Sequence, residues 1–401
     1  MNFLYRKWLI IMKNYMNNKK VAWVSRSANS IYINILSKLV SNFGWRGLMI
    51  SQDKRSPENN SNPFKISYLK PISFPFMLFY VPRKIKSYLT GSDGNVQELV
   101  ALDGLVDELR KYSPDVVVID LFYLPMTWQA VWYCWRSDTP YIVTIEKLSI
   151  KSGLMGIVDR VVIWVSKPII NNASLLTAWT NNSLEFAQKY LSPNGFPETK
   201  LLPAGIDTDK FSTKGIDVNT TKALSLVMVA RFVPLKRHID VINALEILHE
   251  EGYKDISLTL LGEGDTKNDV MELVKKKGLE QFVTFHEPVP YEEMGKFYKK
   301  HDLLILASDK EAIGMVVPEA MACGIPAIVS DAAGAEMYVD DGVNGYIFEC
   351  NNPKSLAVQV MKFKKSKEKL KMRKMAQEAI RKNFSILAIA NSLNNLLQDA
   401  S

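Results

Sequence analysis

Cysteine is scarce in this 401-residue chain: Cys134, Cys323 and Cys350 are odd in number and far apart, and no Cys-x-x-Cys occurs. That excludes a disulfide framework and a cysteine-built zinc site, and it points to a reducing compartment, read here as the cytoplasm. Histidine is missing from the first half altogether; His238, His249, His286 and His301 all lie in the second. Long apolar runs are missing too. The N-terminus offers only Trp8-Leu-Ile-Ile-Met12, stopped by Lys13, far short of the roughly 18 apolar residues a membrane span requires. No small-residue cleavage site follows it, which argues against a secretory signal. Acids are nearly missing from residues 1–90, where Asp53 and Glu58 stand against 15 Lys and Arg although the whole chain nets only +8. A basic front end on a mildly acidic body predicts an anionic partner, and a membrane leaflet and a nucleic acid both fit that description.

What is present is the composition of a globular protein, 47% apolar and 23% charged. Its length suits two α/β domains rather than one core. The recurring unit is a short β-branched run, a polar loop and a helix-period segment, the pattern of parallel sheets with crossover helices. In the first half it predicts strands at Val21–Val24, Arg46–Ile50, Asp115–Ile119, Pro140–Thr144, Leu175–Trp179 and Lys200–Leu202, with helices over 31–43, 95–112, 153–171 and 183–191. In the second half the strands fall at Ser225–Val229, Ser257–Leu261, Phe282–Phe285, Leu303–Leu306, Ala327–Val329 and Gly345–Phe348. Helices alternate with them near 238–251, 267–278, 291–300, 316–323 and 353–365, and 366–399 reads as helical with an amphipathic tail.

These elements divide the chain into five parts. Residues 1–19 form a basic leader with Leu4, Trp8, Ile11, Met12 and Tyr15 on one side of a helical wheel. That is an interfacial-helix pattern, or a leader that packs on the domain. Residues 20–205 form a first Rossmann-like domain and 206–222 a polar, aperiodic linker. Residues 223–375 form a second Rossmann-like domain, and 376–401 a final helix crossing back to the first.

In an open parallel sheet, strand C-termini and helix N-termini gather at one edge, where backbone N–H groups favour anions. The distinctive polar residues of the second half fall there. Arg231 and Lys236 are five apart in a Pro-containing loop after the first strand, a spacing that suits two cations on a diphosphate. Gly262-Glu-Gly264 is a turn that lets backbone approach a ligand. After Leu303–Leu306 comes Ala307-Ser-Asp-Lys-Glu-Ala-Ile-Gly-Met-Val-Val-Pro-Glu-Ala-Met-Ala-Cys-Gly-Ile-Pro326. Glu311 sits in its loop, Gly314 frees the backbone at the helix start, and Glu319 lies a turn into the helix. Two carboxylates there can divide the work, one facing a sugar and one accepting both hydroxyls of a ribose diol.

That string, Ser-x-x-Glu-x7-Glu-Ala-Met-Ala-x-Gly-x-Pro, resembles the nucleotide-sugar signature of family 4 of the retaining glycosyltransferases, also called group 1. Leu202–Phe211, Gly262–Gly264, Asp331–Glu336 and Asp341–Gly345 resemble further parts of the same family over residues 175–350. The resemblance implies the α/β fold called GT-B, two Rossmann-like domains facing across a cleft with a C-terminal helix crossing back. It implies a retaining, hexosyltransferase-type enzyme acting in cell-surface polysaccharide or glycoconjugate synthesis. A sugar would move from a UDP-, GDP- or other nucleoside-diphosphate donor to a glycan or lipid-linked acceptor. The alternative is a non-catalytic nucleotide-sugar-binding subunit of a glycan-synthesis complex. Arg231 and Lys236 would hold the diphosphate, Glu319 the ribose, and Glu311 the transferred sugar. Gly262, Gly264 and the main chain around Gly314, Met315 and Val316 would complete the donor site. Glu311, Arg231 and Lys236 form the catalytic group, and no metal or other cofactor is expected. Asp207-Thr-Asp209 matches the Asp-x-Asp metal motif of the other major glycosyltransferase fold, but lies in the linker without further acids.

The first half departs from the family. Its first loop, Ser25-Arg-Ser-Ala-Asn-Ser30, has no glycine, and Ile145-Glu-Lys147 stands where a histidine is expected. Ser27 and Glu146 are the acceptor-side candidates; a surface Glu capping a loop is the other reading of Glu146. Residues 64–90 mix aromatics and prolines with Arg83, Lys84 and Lys86. That mix suits an anionic leaflet, or a buried wall of the acceptor domain. It also fits single-stranded nucleic acid, but no nucleic-acid motif accompanies it, so nucleic acid is set aside. The expectation is a cytoplasmic enzyme, peripheral on the inner face of a membrane.

Overall fold

The computed structural model describes residues 19–28, 30–53, 62–73, 100–146, 153–211 and 223–400. All of the expected leader except Lys19, residues 212–222 of the expected linker and 74–90 of the basic-aromatic segment lie outside the described residues. The chain divides into two compact units, Met1–Ala204 with Ile389–Ser401, and Gly205–Ala388.

The first unit is built on seven strands: β1 (Lys20–Ser27), β2 (Arg46–Asp53), β3 (Lys65–Tyr68), β6 (Val116–Asp120), β7 (Tyr141–Ile145), β8 (Leu175–Ala178) and β9 (Thr199–Leu201). A two-stranded antiparallel ribbon of β4 (Pro71–Ser73) and β5 (Val100–Leu102) accompanies them. The large sheet runs β3-β2-β1-β6-β7-β8-β9, and every pairing in it is parallel. Val21, Ala22, Trp23 and Val24 are all essentially inaccessible, as expected of strands covered on both faces, which read as apolar runs rather than alternation.

Three features of this unit differ from the sequence reading. Of the expected helix over 95–112, the described residues 100–112 form a strand, Val100–Leu102, followed by a shorter helix, Leu105–Tyr112. Gly104, in the left-handed region at φ 75°, separates the two. Gln129 donates to the Leu102 carbonyl at 3.1 Å and accepts from its N–H at 2.8 Å, so β5 is held by a side chain that local sequence does not reveal. That side chain belongs to a helix the sequence reading passes over, Pro125–Ser137. Its aromatic and β-branched residues favour strands, while Pro125 in its first turn and burial of Met126, Ala130, Val131 and Cys134 favour the helix. The helical stretch expected at 183–191 is Asn181–Phe186 followed by a π-turn, Ala187–Leu191.

The second unit carries β10 (Leu224–Val229), β11 (Ile256–Leu261), β12 (Val283–His286), β13 (Leu303–Leu306), β14 (Ala327–Ser330) and β15 (Gly345–Phe348). Their order is β12-β11-β10-β13-β14-β15, all parallel. This is the doubly wound nucleotide-binding order, in which the strand sequence reverses between β10 and β13. One core fills each face of this sheet, around Met228, Leu245 and Leu258 on one side and Val227, Leu304 and Met321 on the other.

The element expected as one crossover helix over 376–401 is the end of one helix, Lys369–Asn383, and the whole of another, Ile386–Ala400. The break follows from backbone pairing with the start of the second unit. Ile206 donates to the Phe384 carbonyl at 2.8 Å and accepts from Ile386 N–H at 3.0 Å, which holds the chain out of helix there. Ser385 Oγ then caps the new helix by accepting from Ala388 N–H at 3.2 Å. In the first unit, buried Trp45 Nε1 donates to Asn394 Oδ1 at 2.9 Å. Asn394→Ala should strand that indole N–H and cost about 1–3 kcal/mol, measured by urea unfolding; an unchanged midpoint would show that the contact does not anchor the helix.

Candidate functional site

At the reversal point of the second unit the carboxyl ends of β10, β11 and β13 lie side by side. The loops that leave them enclose a groove of about 490 Å³. Arg231, Lys236, Gly262, Glu311, Gly314, Met315 and Val316 line it, together with Glu263 and Pro288. Seven residues singled out from sequence therefore share one space.

The loop after β10 is braced from both sides. Phe232 N–H donates to the Glu263 carbonyl at 2.8 Å, and Asp309 N–H donates to the Leu235 carbonyl at 3.1 Å. The turn Pro234–Lys236 then carries the Lys236 ammonium onto the Glu311 carboxylate as an ion pair. Both partners are largely shielded from water, at 15% and 18% side-chain exposure, so the pair has stronger attraction and weaker screening than a surface pair. Ser308 Oγ adds a long contact to the same carboxylate at 3.5 Å. Arg237 is occupied otherwise, forked onto Asp240 at 2.8 and 2.9 Å. Burial pushes the His238 imidazole down to about 4, so it adds no charge near neutral pH.

Gly262 and Gly264 are sterically required. At Gly262, φ 149°, a Cβ would sit 2.0 Å from the Ala230 carbonyl oxygen. At Gly264, φ 151°, it would sit 2.3 Å from that of Phe232. The β11 turn thus lies directly against the Arg231 loop, with no space for a side chain between them.

Glu319 and Gly264 are not among the groove's lining residues. Glu319 follows Met315 and Val316 by one helical turn, in the helix Val316–Ala322, and is only 7% exposed. It accepts from the Tyr298 hydroxyl at 2.9 Å. Burial raises its carboxyl to about 7, against smaller opposing effects from Tyr298, Tyr291 and Lys210. Asp207 of the Asp-x-Asp match accepts from the N–H groups of Asp209 and Lys210 at 3.1 and 3.2 Å, which is turn capping. Among the described residues no group of three or more His, Cys, Asp and Glu is arranged to hold a metal ion.

Residues 211–383 match the family described as Glycosyl transferases group 1. The chain carries a group 1 glycosyl transferase domain. Within curated proteins, 175 residues are 29% identical to the N-acetyl-alpha-D-glucosaminyl L-malate synthase of Bacillus anthracis, covering 43% of this chain and 45% of that one. Another 169-residue match is 28% identical to the D-inositol 3-phosphate glycosyltransferase of Xylanimonas cellulosilytica, covering 38% and 40%. The chain thus spans under half the length of each. Solved structures match over nearly the whole chain. Anabaena HepE in complex with UDP superposes with a TM-score of 0.69 at 18% identity, over 95% of this chain and 99% of that one. A glycosyltransferase from Rickettsia africae gives 0.71 at 15% identity, over 96% and 99%. At such identities the likeness speaks for the fold alone, and the fold class is GT-B, with two Rossmann-like units.

Outside the group 1 domain, the reversal point of the first sheet holds a second polar cluster. Glu146, just past β7, accepts from the Tyr32 hydroxyl at 3.1 Å, and burial raises its carboxyl above the ordinary range. Beside it, at the end of β6, stands Asp120, which the sequence reading did not single out. Asp120 is 2% exposed and accepts from Trp23 Nε1 at 3.3 Å. Burial, reinforced by the neighbouring Glu146 charge, raises it to about 7. Its place as the polar last residue of an otherwise apolar strand, Val-Val-Val-Ile-Asp, was the available signal. Ser27 enters the cluster only through its backbone, its carbonyl accepting from Ser25 Oγ at 3.1 Å.

The Glu319 carboxyl gives a pH-dependent stability whose sign is fixed. Folded, it holds its proton to about pH 7; its ordinary value is 4.5. The stability it contributes is whole below the ordinary value and is lost as pH rises through the folded one. Glu319→Gln should melt like the wild type near pH 5 and be the more stable near pH 8, by about 1–3 kcal/mol. Parallel melting curves across that interval would show that Glu319 is not held uncharged.

Proposed function

We propose that the chain is a retaining glycosyltransferase whose second unit binds a nucleoside-diphosphate sugar in the β10–β11–β13 groove. The observation that carries this reading is the grouping of Arg231, Lys236 and Glu311 in one groove at a sheet reversal point, the position where doubly wound sheets take nucleotides. Arg231 and Lys236 face the diphosphate. At the start of the next helix the Val317 and Glu319 N–H groups already donate to the Gly314 and Met315 carbonyls and Pro318 has none, so the main chain at Met315 and Val316 supplies the further donors. Glu319 takes the ribose hydroxyls and Glu311 the sugar. Relatives named for sugar transfer and a neighbour solved with UDP support the donor class.

In the reaction the bond from the anomeric carbon to the diphosphate oxygen breaks, and its electron pair leaves with the nucleoside diphosphate. An acceptor hydroxyl forms the new carbon–oxygen bond on the same face, and its proton passes to the departing oxygen. Positive charge fixed beside that oxygen stabilises the leaving group with little reorganisation. The acceptor is a glycan or a lipid-linked glycan of a surface polysaccharide or glycoconjugate, with Ser27, Glu146 and Asp120 of the first unit on its side.

The Lys236–Glu311 pair separates binding from transfer. Lys236→Ala should weaken UDP by about 1–3 kcal/mol, the usual worth of a charge-assisted contact. Glu311→Gln removes the competing carboxylate, so UDP should bind at least as tightly as to the wild type. Turnover of labelled UDP-glucose or GDP-mannose should nevertheless be lost. Calorimetry with UDP and GDP tests the first pair of statements. If both variants bind both nucleotides as the wild type does, the groove is not the diphosphate site. If binding responds as stated but the wild type turns over no donor, the chain is a nucleotide-sugar-binding subunit rather than an enzyme.

A further inference from the structure

The helix Gly153–Asn171 of the first unit is apolar on both faces. Its inner face sets Ile163, Ile169 and Ile170 in the core and buries Asp159 and Ser166 beneath it. Its outer face exposes Ile157 at 58%, Val161 at 53%, Trp164 at 69% and Val165 at 45%. Those four residues fall at i, i+4, i+7 and i+8, which is one continuous stripe. A helix on a water-facing sheet ordinarily turns charge outward; here the helix's one acid is inside and an indole is outside.

On this helix the charges that remain outside have one sign. Arg160 and Lys167 are exposed on this helix, and its described outer face has no carboxylate. The preceding helix, Pro125–Ser137, lies on the same face of the sheet, because both crossovers step the same way from β6 to β7 to β8. It exposes Trp132 at 41% and Trp135 at 45%, with the Arg110 and Arg136 guanidinium groups over the Trp132 ring at 5.6 and 5.2 Å; Arg110 also pairs with the exposed Asp107 at 3.2 Å, and Asp138 is exposed at the helix end. Exposed indoles and aliphatics ringed by arginine and lysine match the boundary of an anionic bilayer: rings and aliphatic side chains enter the upper acyl layer, and cations meet the phosphates. On the helix Gly153–Asn171 itself the exposed charge is wholly positive, which suits lipid phosphates and which an apolar protein contact would not require. Among the described residues no helix is long and apolar enough to cross a membrane, so contact must be lateral.

We propose that the outer face of helix Gly153–Asn171 is a lipid-docking surface that lies flat in the headgroup layer of an anionic membrane. Ile157, Val161, Trp164 and Val165 are its inserted residues, and Arg160 and Lys167 its phosphate contacts. The proposal stands on this helix alone and not on the sugar-transfer reading. It places the docking face on a folded element, apart from the basic leader and the 64–90 segment.

The test is flotation of the full-length protein with phosphatidylcholine vesicles, with and without added phosphatidylglycerol. Wild type should float with the anionic vesicles. Trp164→Glu should lower the vesicle partition coefficient by about tenfold or more, since it removes an inserted ring and adds a repelled charge. The double variant Arg160→Gln/Lys167→Gln should lose most of the preference for anionic over neutral vesicles. Trp164→Ser serves as a milder second variant, and UDP affinity, measured on the other unit, should stay unchanged in all three. Failure of the wild type to float, or equal flotation of wild type and both Trp164 variants, would overturn the proposal. A wild-type dimer that Trp164→Glu dissociates, with vesicle binding unaltered, would assign the stripe to a second copy of the chain instead.

Discussion

Parallel strands joined by right-handed crossovers must all end at one edge, and this constraint decides where the second unit can do chemistry. β10 pairs with β11 on one side and with β13 on the other. The chain must therefore leave in one direction and return to begin again beside its own first strand. The crossovers to either side of that point pack on opposite faces, and the space between their first turns is left open. Three loops that are remote in sequence, those beginning at Ala230, Gly262 and Ala307, are brought together by that pairing alone. Gly262 and Gly264 then let the first two touch backbone to backbone. The Lys236–Glu311 ion pair and the Asp309-to-Leu235 hydrogen bond tie the first to the third.

The same constraint explains what could be read from sequence. Every strand of the second unit falls where its apolar run predicts, because a parallel strand covered on both faces is a continuous run bounded by polar loops. The groove was legible for a related reason: its residues lie in short linear strings at strand ends, and the topology does the assembling. What could not be read depends on a neighbour far along the chain. β5 is a strand because Gln129 meets both polar groups of Leu102. The break at Phe384 exists because Ile206 pairs across it. Glu319 reads as a ribose-binding carboxylate, yet its burial and its bond from Tyr298 come from a helix that sequence cannot orient. Asp120 owes its raised titration to burial and then to Glu146, which arrives just past the next strand.

The two glutamates of the signature string are thus held in different electrostatic conditions by elements outside it. Glu311 is neutralised across the groove by a lysine from another loop. Glu319 is isolated among tyrosines and holds its proton to about pH 7. The two differ in their partners: Glu311 has a lysine ammonium in direct contact, while Glu319 is buried with tyrosine hydroxyls as its hydrogen-bond donors. His238, stacked on Phe232 at 4.3 Å, is deprived of charge by burial and by the neighbouring Lys236 ammonium, and Arg237 is consumed by Asp240. The loop after β10 therefore contains four basic side chains, of which the fold directs Arg231 and Lys236 to the groove.

That arrangement has a consequence for any anion that enters. A diphosphate brought to Lys236 competes with Glu311 for the same ammonium, and the winner is set by charge: a nucleoside diphosphate carries more than one negative charge, a carboxylate carries one. As Lys236 turns to the phosphates, Glu311 loses its partner inside a half-buried groove, where an unpaired carboxylate is costly. It then has the Ser308 hydroxyl, at 3.5 Å, as a protein donor, and hydroxyl groups attached to the same ligand can add to it. The pair is in this sense a placeholder. It keeps both charges compensated in the free protein and, on the proposed reading, would pass the cation to the phosphates and the carboxylate to the sugar of an incoming sugar nucleotide. Buried ionic pairs contribute little net stability in most folds, so the exchange proposed for this pair gives it a use that stability alone does not.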